Sequence, residues 1–261
     1  MPFLNYGGPL GTDDAVAALT RAAAERARTD GVKLLELRSR TPLPIELPVS
    51  HRKITVCLEL PDSDEALMKR FPAKLRSQVR RPDKEGVQIR FGPDQVEPFY
   101  RVFRAHMHAL GTPVLQRELF EALPGAFGDD VWIGVAYLGS NPIACGAGFR
   151  WHQEFEMTWA SSLSAYNRIS ANMGLYWAFM RRAMASGIRV FNFGRCTPGS
   201  GTHRYKSQWT AVDEPLYWYQ ASASGEASPP SPDAGPYSWA PRIWSRLPSP
   251  VANAAGPILS R

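Results

Sequence analysis

Three strand-like runs follow one another at residues 131–138, 143–151 and 154–161, with very little chain between them. The first two are joined by G-S-N-P, a turn signal, and the last two by a short H-Q connection. Connections this short return the chain antiparallel to itself. The sequence therefore predicts a three-stranded meander, and whatever surrounds it must pack on that sheet.

Helical patterns flank the meander. Before it, Val96, Phe99, Phe103, Met107 and Leu110 recur at helical spacing over residues 95–110. In the same segment His106 and His108 are two apart, so a helix points them to different faces and they are not read as a metal pair. After it, residues 172–186 read as a helix with Met173, Trp177, Met180 and Met184 on one stripe, taken as core rather than as a cofactor box.

The next stretch, residues 187–209, reads G-I-R-V-F-N-F-G-R-C-T-P-G-S-G-T-H-R-Y-K-S-Q-W. Gly187 suits the end of the preceding helix, and residues 188–193 alternate as a strand should. Gly194, Gly199 and Gly201 let the backbone turn or approach a ligand, while Arg195, His203, Arg204 and Lys206 supply charge. A strand ending in such a loop suits an anionic ligand. The same pattern fits a hairpin loop with solvated charges, and spacing alone does not separate the two. A strand at 215–219 closes the unit.

Towards the N-terminus, residues 1–11 are loop-like. Thr12 caps a helix whose first turn holds Asp13 and Asp14, and Gly31 ends it. Residues 32–37 and the alternating Ile54, Val56, Leu58 and Leu60 read as strands, separated by a connector with three prolines at 41–48. Asp62 caps the helix that follows. Pro72 and Pro82 bracket a basic piece in which Arg76 and Arg80, four apart, share a face. Residues 87–91 are a short strand.

Charge is concentrated in that basic piece. Between Lys69 and Arg90 lie eight basic and two acidic residues, a local excess of +6 that equals the net charge of the whole chain. Such a patch favours phosphate-bearing partners: nucleic acid, a nucleotide-linked substrate or an anionic membrane surface. Apolar (44%) and charged (21%) fractions are those of a folded globular protein. No apolar run is long enough for a transmembrane helix and no signal peptide is evident. Cys57, Cys145 and Cys196 form neither a disulfide framework nor a zinc pattern, so a reducing cytoplasm is the expected compartment and no metal is expected. From residue 221 onward eight prolines accompany Ala, Ser and Gly, and no packed core is expected there. One sticky island, Tyr237, Trp239, Ile243, Trp244 and Leu247, would dock on the main body or make a peripheral membrane contact.

Several motifs together resemble the FemAB-like proteins, and more closely the FemAB-related group associated with exosortase and PEP-CTERM sorting systems. They are F-N-F-G-R and G-T-H-R-Y-K-S-Q-W within 191–209, N-Y-G-G at 5–8, L-E-L-R at 35–38, K-L-R-S-Q-V-R-R at 74–81, L-G-T-P at 110–113 and L-Y-W at 175–177. The resemblance implies an α/β (α+β) chain with a GNAT-like acyltransferase fold. It implies one complete unit at 95–220, preceded by the remnant of a truncated first unit at 1–68 and a basic connecting segment at 69–94, and followed by the tail at 221–261.

The implied chemistry is transfer of an acyl or aminoacyl group to an amine of a cell-envelope or exopolysaccharide-related precursor. That reaction needs no protein nucleophile. The amine attacks an activated ester or thioester, and the protein positions both and stabilises the oxyanion. No G-x-S-x-G or H-E-x-x-H motif competes with this reading. By resemblance Lys206 is the lysine of the family's F-K-x-x-W-G motif and the candidate for oxyanion stabilisation; otherwise it is a solvated strand residue. Lys74, Arg76 and Arg80, with Arg195, are the candidate phosphate-binding residues. Tyr205 and Trp209 flank Lys206 and could line the substrate groove, although core packing suits them equally. Glu154 and Glu156 share a strand face and are read as surface carboxylates.

The family's CoA-using relatives open the helix after the central strands with Q/R-x-x-G-x-G/A, but here the place reads Y-N-R-I-S-A-N. This departure speaks against acyl-CoA, and the FemAB resemblance implies aminoacyl-tRNA as the donor, with no bound cofactor; the expected partner is tRNA or a nucleotide-linked precursor. The sequence departs from the family at Asn192, where an acid is usual, at Cys196 for serine, and at Thr210 for glycine. A second reading keeps the scaffold without turnover: a shortened, non-catalytic binding protein with a basic phosphate- or RNA-binding surface.

Overall fold

The structure, a computed structural model, describes residues 4–222 and 239–260. In chain order the first elements are α1 (Asp13–Thr29), β1 (Leu35–Ser39), β2 (Val49–Ser50), β3 (Ile54–Glu59), α2 (Asp64–Arg70), α3 (Ala73–Lys84) and β4 (Val87–Phe91). Then come α4 (Val96–Ala109), α5 (Arg117–Phe127), β5 (Val131–Leu138), β6 (Asn141–Trp151), β7 (Glu154–Ser162) and α6 (Ala171–Ala185). The last are β8 (Val190–Cys196), α7 (Gly201–Ser207), β9 (Val212–Pro215), β10 (Tyr217–Ala221), α8 (Ala240–Trp244) and α9 (Ser249–Leu259). Contacts divide the chain into two compact units: Met1–Cys57 with Phe193–Gly235, and Leu58–Asn192 with Pro236–Arg261.

The larger unit is built on the expected meander. Strands β4, β5, β6 and β7 pair antiparallel in sequence order. The start of β8 adds parallel to β7, pairing Glu154 with Val190 through Glu156 with Asn192. A parallel neighbour needs a crossover, and α6 supplies it. Two aromatic clusters fix the layers. Phe99 and Phe103 of α4 stack at 5.5 Å, and Phe120 of α5 packs against both and against Trp159 of β7. On α6, the fully buried Phe179 meets Phe91 edge-on and stacks on Phe155. Burying such a ring contributes about 2–3 kcal/mol. Gly134 makes room for it, since a Cβ there would fall 2.8 Å from the Phe179 ring.

The smaller unit holds an antiparallel sheet in the order β1-β10-β2 and the antiparallel pair β3–β9. Helix α1 starts as the sequence predicts: Thr12 accepts from the Ala15 amide, Asp13 and Asp14 occupy the first turn, and Arg26 and Arg28 the last.

Several expectations are corrected. Residues 215–219 are not one strand: β9 ends at Pro215 and β10 begins at Tyr217, in different pairings. Pro82 does not bound the basic helix but lies inside its last turn, with its ring packed on Gly174, where a Cβ would fall 2.9 Å from it. Residues 117–127, left without an element by sequence reasoning, form α5. The tail also packs. Gly256 of α9 lies against Val114, Ala252 is buried, and the Ser260 hydroxyl donates to the Val114 carbonyl at 2.9 Å. In that tail Trp239 and Ile243 remain exposed; Tyr237 lies outside the described residues. Among the described residues no helix is long and apolar enough to cross a membrane.

Candidate functional site

Within the smaller unit, the end of β8 and helix α7 form the most specific constellation. Gly194 sits inside β8 with φ of 73°. That is left-handed backbone, which side chains disfavour and glycine accepts. The turn presents the Gly194 carbonyl to Lys206, whose Nζ donates to it at 2.6 Å and to the Arg195 carbonyl at 2.9 Å. Lys206 is 4% exposed. The solvated-strand alternative is therefore excluded: the residue is buried, and it lies on a helix.

That helix follows from local chemistry. Ser200 has extended backbone and accepts from the His203 amide at 3.1 Å, a side-chain N-cap. The incoming loop is tied down. His203 Nδ1 accepts from the Gly199 amide at 2.9 Å, which leaves Nε2 to donate to Asp213 at 2.8 Å. Arg204 donates to the Gly199 carbonyl at 2.7 Å, and Lys53 donates to the Thr197 hydroxyl. The sequence pattern allows His203 and Arg204 to face a ligand or to be solvated loop charges; in the structure both brace the loop that sets Lys206.

The remaining candidates separate. Arg195 is half-buried with its guanidinium 5.3 Å from the Trp218 ring, and Arg38 packs on the same ring at 4.5 Å. Trp209 is fully buried against Phe193, a core position, and Tyr205 is half-buried on α7. Cys196 gains no thiolate character. Burial pushes its thiol up, Lys206 pulls it down, Asp213 raises it and Lys53 lowers it, with a net rise.

Lys74, Arg76 and Arg80 all lie on α3, in the larger unit. Lys74 is exposed. Arg76 and Arg80 line one groove of about 570 Å3 with Asp64, Glu65, Met68, Lys69 and Trp177. Arg76 is held in place by its bond to the Phe71 carbonyl at 2.6 Å. Trp177 and Met184, both expected in the core stripe, are only half-buried, and Trp177 forms part of this wall, whereas Met173 and Met180 are buried as expected.

Two carboxylates expected at the surface are tied to the sheet's parallel edge. Glu154 accepts from the side chain of the wholly buried Asn192 at 2.8 Å, and Glu156 lies beside Asn192 in register. The amide at 192 thus donates where an acid would repel.

The segment ahead of α6 is a 3-10 helix over Ser164–Ile169, in which the Tyr166 amide donates to the Leu163 carbonyl and the Ser170 amide to that of Asn167.

Residues 69–207, more than half of the chain, match the model of the acetyltransferase (GNAT) domain. The chain belongs to this GNAT family. Its fold is shared with the C-terminal domain of an Agrobacterium fabrum protein described as a lysylphosphatidylglycerol synthetase: the TM-score is 0.63 at 14% identity, over 84% of this chain and 78% of that one. FemX superposes with a TM-score of 0.61 at 12% identity, over 80% of this chain and 77% of its own. A Staphylococcus epidermidis protein of unknown function superposes with a TM-score of 0.52 at 11% identity, over 83% and 82%. At these identities the likeness establishes the fold. No curated protein sequence matches the chain.

Proposed function

We propose that this GNAT protein is an acyl- or aminoacyltransferase of the FemAB type, acting on an amine of a cell-envelope or exopolysaccharide-related precursor. The observation that carries the reading is the buried Lys206 ammonium at the left-handed turn of β8. A charge held at 4% exposure is little screened by water, so it acts strongly on charge that develops nearby. The reaction balances without a protein nucleophile. The amine nitrogen bonds to the acyl carbon, the bond from that carbon to the leaving oxygen breaks, and the leaving oxygen takes the proton that the amine loses. In between, the carbonyl oxygen bears negative charge, and Lys206 is the residue assigned to stabilise it.

The donor we propose is an aminoacyl-tRNA rather than acyl-CoA, supported by the FemAB-like motifs and by Y-N-R-I-S-A-N standing in place of Q/R-x-x-G-x-G/A. The envelope setting, in exosortase and PEP-CTERM sorting, rests on the FemAB-related motifs of the sequence. One structural relative is named for the synthesis of lysylphosphatidylglycerol, an aminoacylated phospholipid. Arg76 and Arg80 are the residues proposed for the substrate's phosphates.

The test is incubation of the full chain with charged tRNAs and with envelope precursors, read by mass spectrometry. An aminoacylated precursor that is absent without the protein supports transfer. Precursor or tRNA bound with no product formed would favour the non-catalytic binding protein.

A further inference from the structure

The C-terminal tail has an inner face that is covered and an outer face that is not. Pro241 of α8 lies against Gly111, Gly256 of α9 lies against Val114, and the Gln116 side chain donates to the Pro257 carbonyl at 3.3 Å. Both helices are therefore seated on one short segment, residues 111–116. The apolar side chains not used in that seat are left in water: Trp239, Ile243, Val251, Ile258 and Leu259 are each more than half exposed. Val251 and Ile258 are seven apart and share one face of α9.

A helix packed on the surface of a protein normally turns charged side chains outward. Helix α9 has none to turn, since residues 249–259 contain no charged side chain. Over residues 239–260 the charged side chains are Arg242 and Arg246, both exposed, and no acid occurs in that span. The tail thus pairs an uncovered apolar face with positive charge that has no acid of its own segment to meet. A second copy of the chain would cover the face poorly, because a symmetric contact brings the same patch from both sides. It would gather four arginines into one acid-free interface, and like charges brought together cost free energy. An anionic lipid surface answers both features. The apolar side chains enter the boundary of the acyl region, the indole of Trp239 suits the headgroup level, and the arginines meet lipid phosphates.

We infer that α8 and α9 form a docking surface for an anionic membrane, with Ile243, Val251, Ile258 and Leu259 entering the interface and Arg242 and Arg246 at the headgroups. The docking is peripheral, and it concerns where the protein is held. It stands or falls separately from turnover, from Lys206 and from the arginines of α3.

The full chain is mixed with vesicles of phosphatidylcholine alone or of phosphatidylcholine with phosphatidylglycerol, and bound protein is measured by sedimentation at several salt concentrations. Binding to the mixed vesicles is expected, with much weaker binding to phosphatidylcholine. Ile243→Gln and Ile258→Gln change exposed side chains, so their thermal melts should match the parent, and each should weaken vesicle binding roughly tenfold. Arg242→Gln and Arg246→Gln should each weaken it roughly fivefold and flatten its salt dependence. Three results would each overturn the inference. They are no binding of the parent to the mixed vesicles, parental binding by the Ile243→Gln/Ile258→Gln double variant, or a lipid-free dimer that the double variant dissociates, which would make the face an interface between copies.

Discussion

Lys206 and Gly194 are joined by a hydrogen bond of 2.6 Å from ammonium to carbonyl, and the bond exists because Gly194 turns out of the strand geometry that surrounds it. Neither residue explains the site alone. The left-handed turn aims the carbonyl, and the buried lysine holds it there, so a change at either residue acts on the same piece of backbone.

Substitution at Gly194 tests the turn. Gly194→Ala puts a side chain on a residue with φ of 73°, and such backbone costs roughly 1–3 kcal/mol. An unfolding free energy lowered by that amount is expected, read as a lower chemical denaturation midpoint with an unchanged slope against denaturant.

Charge reversal on α3 tests the phosphate assignment. Arg76→Glu and Arg80→Glu should each weaken binding of a phosphate-bearing ligand, and the binding left should depend less on salt, because fewer counterions are released. Unchanged affinity and slope in both variants would return these side chains to a solvated face.

The tail's contact is specific enough to break with one atom. Gly111 has φ of 72°, and a Cβ there would fall 2.2 Å from the Pro241 carbonyl oxygen. Gly111→Ala should therefore displace α8 and destabilise the protein by about 1–3 kcal/mol. Limited proteolysis should then cut after residue 239 faster than in the parent.

His106 gives a pH dependence with a defined sign. Burial holds its pKa below the ordinary value, and its Nδ1 lies 2.9 Å from the Ser161 hydroxyl. The unfolded chain, titrating near 6.5, then binds more protons than the folded one between the two values. Stability from this residue is present above about pH 6.5 and falls as pH drops through that value, levelling off below the folded pKa. The melting temperature of His106→Asn, followed from pH 7.5 to 5, should fall less than that of the parent.

What the sequence made legible is uneven, for physical reasons. The meander and α4 were readable because each buries one face, so period 2 and period 3.6 stand out in the residues themselves. Helix α5 carries Pro124 and Gly125, which read as a break, and it is held by Phe120 and Leu123 in a core that only tertiary packing reveals. Helix α7 is short and made of weak helix formers, Gly201, Thr202, His203 and Tyr205, and depends on the Ser200 cap. Lys206 was identified by its motif, but its burial was not, since nothing in G-T-H-R-Y-K marks which cation turns inward. Trp177 was misplaced for the opposite reason. Its spacing matched the buried methionines, and its position at the groove depends on how α3 packs on α6.

The central claim is that the Lys206 charge stabilises the transition state of acyl transfer. It is tested most directly by Lys206→Met, which keeps most of the side chain's bulk and removes the ammonium. The Gly194 and Arg195 carbonyls lose a donor, so some loss of stability is expected, and the kinetics should be measured well below the variant's melting temperature. With an active donor and acceptor pair in hand, the account predicts turnover reduced roughly 100- to 1000-fold with KM close to that of the parent. A folded Lys206→Met protein that turns over within about threefold of the parent would contradict it.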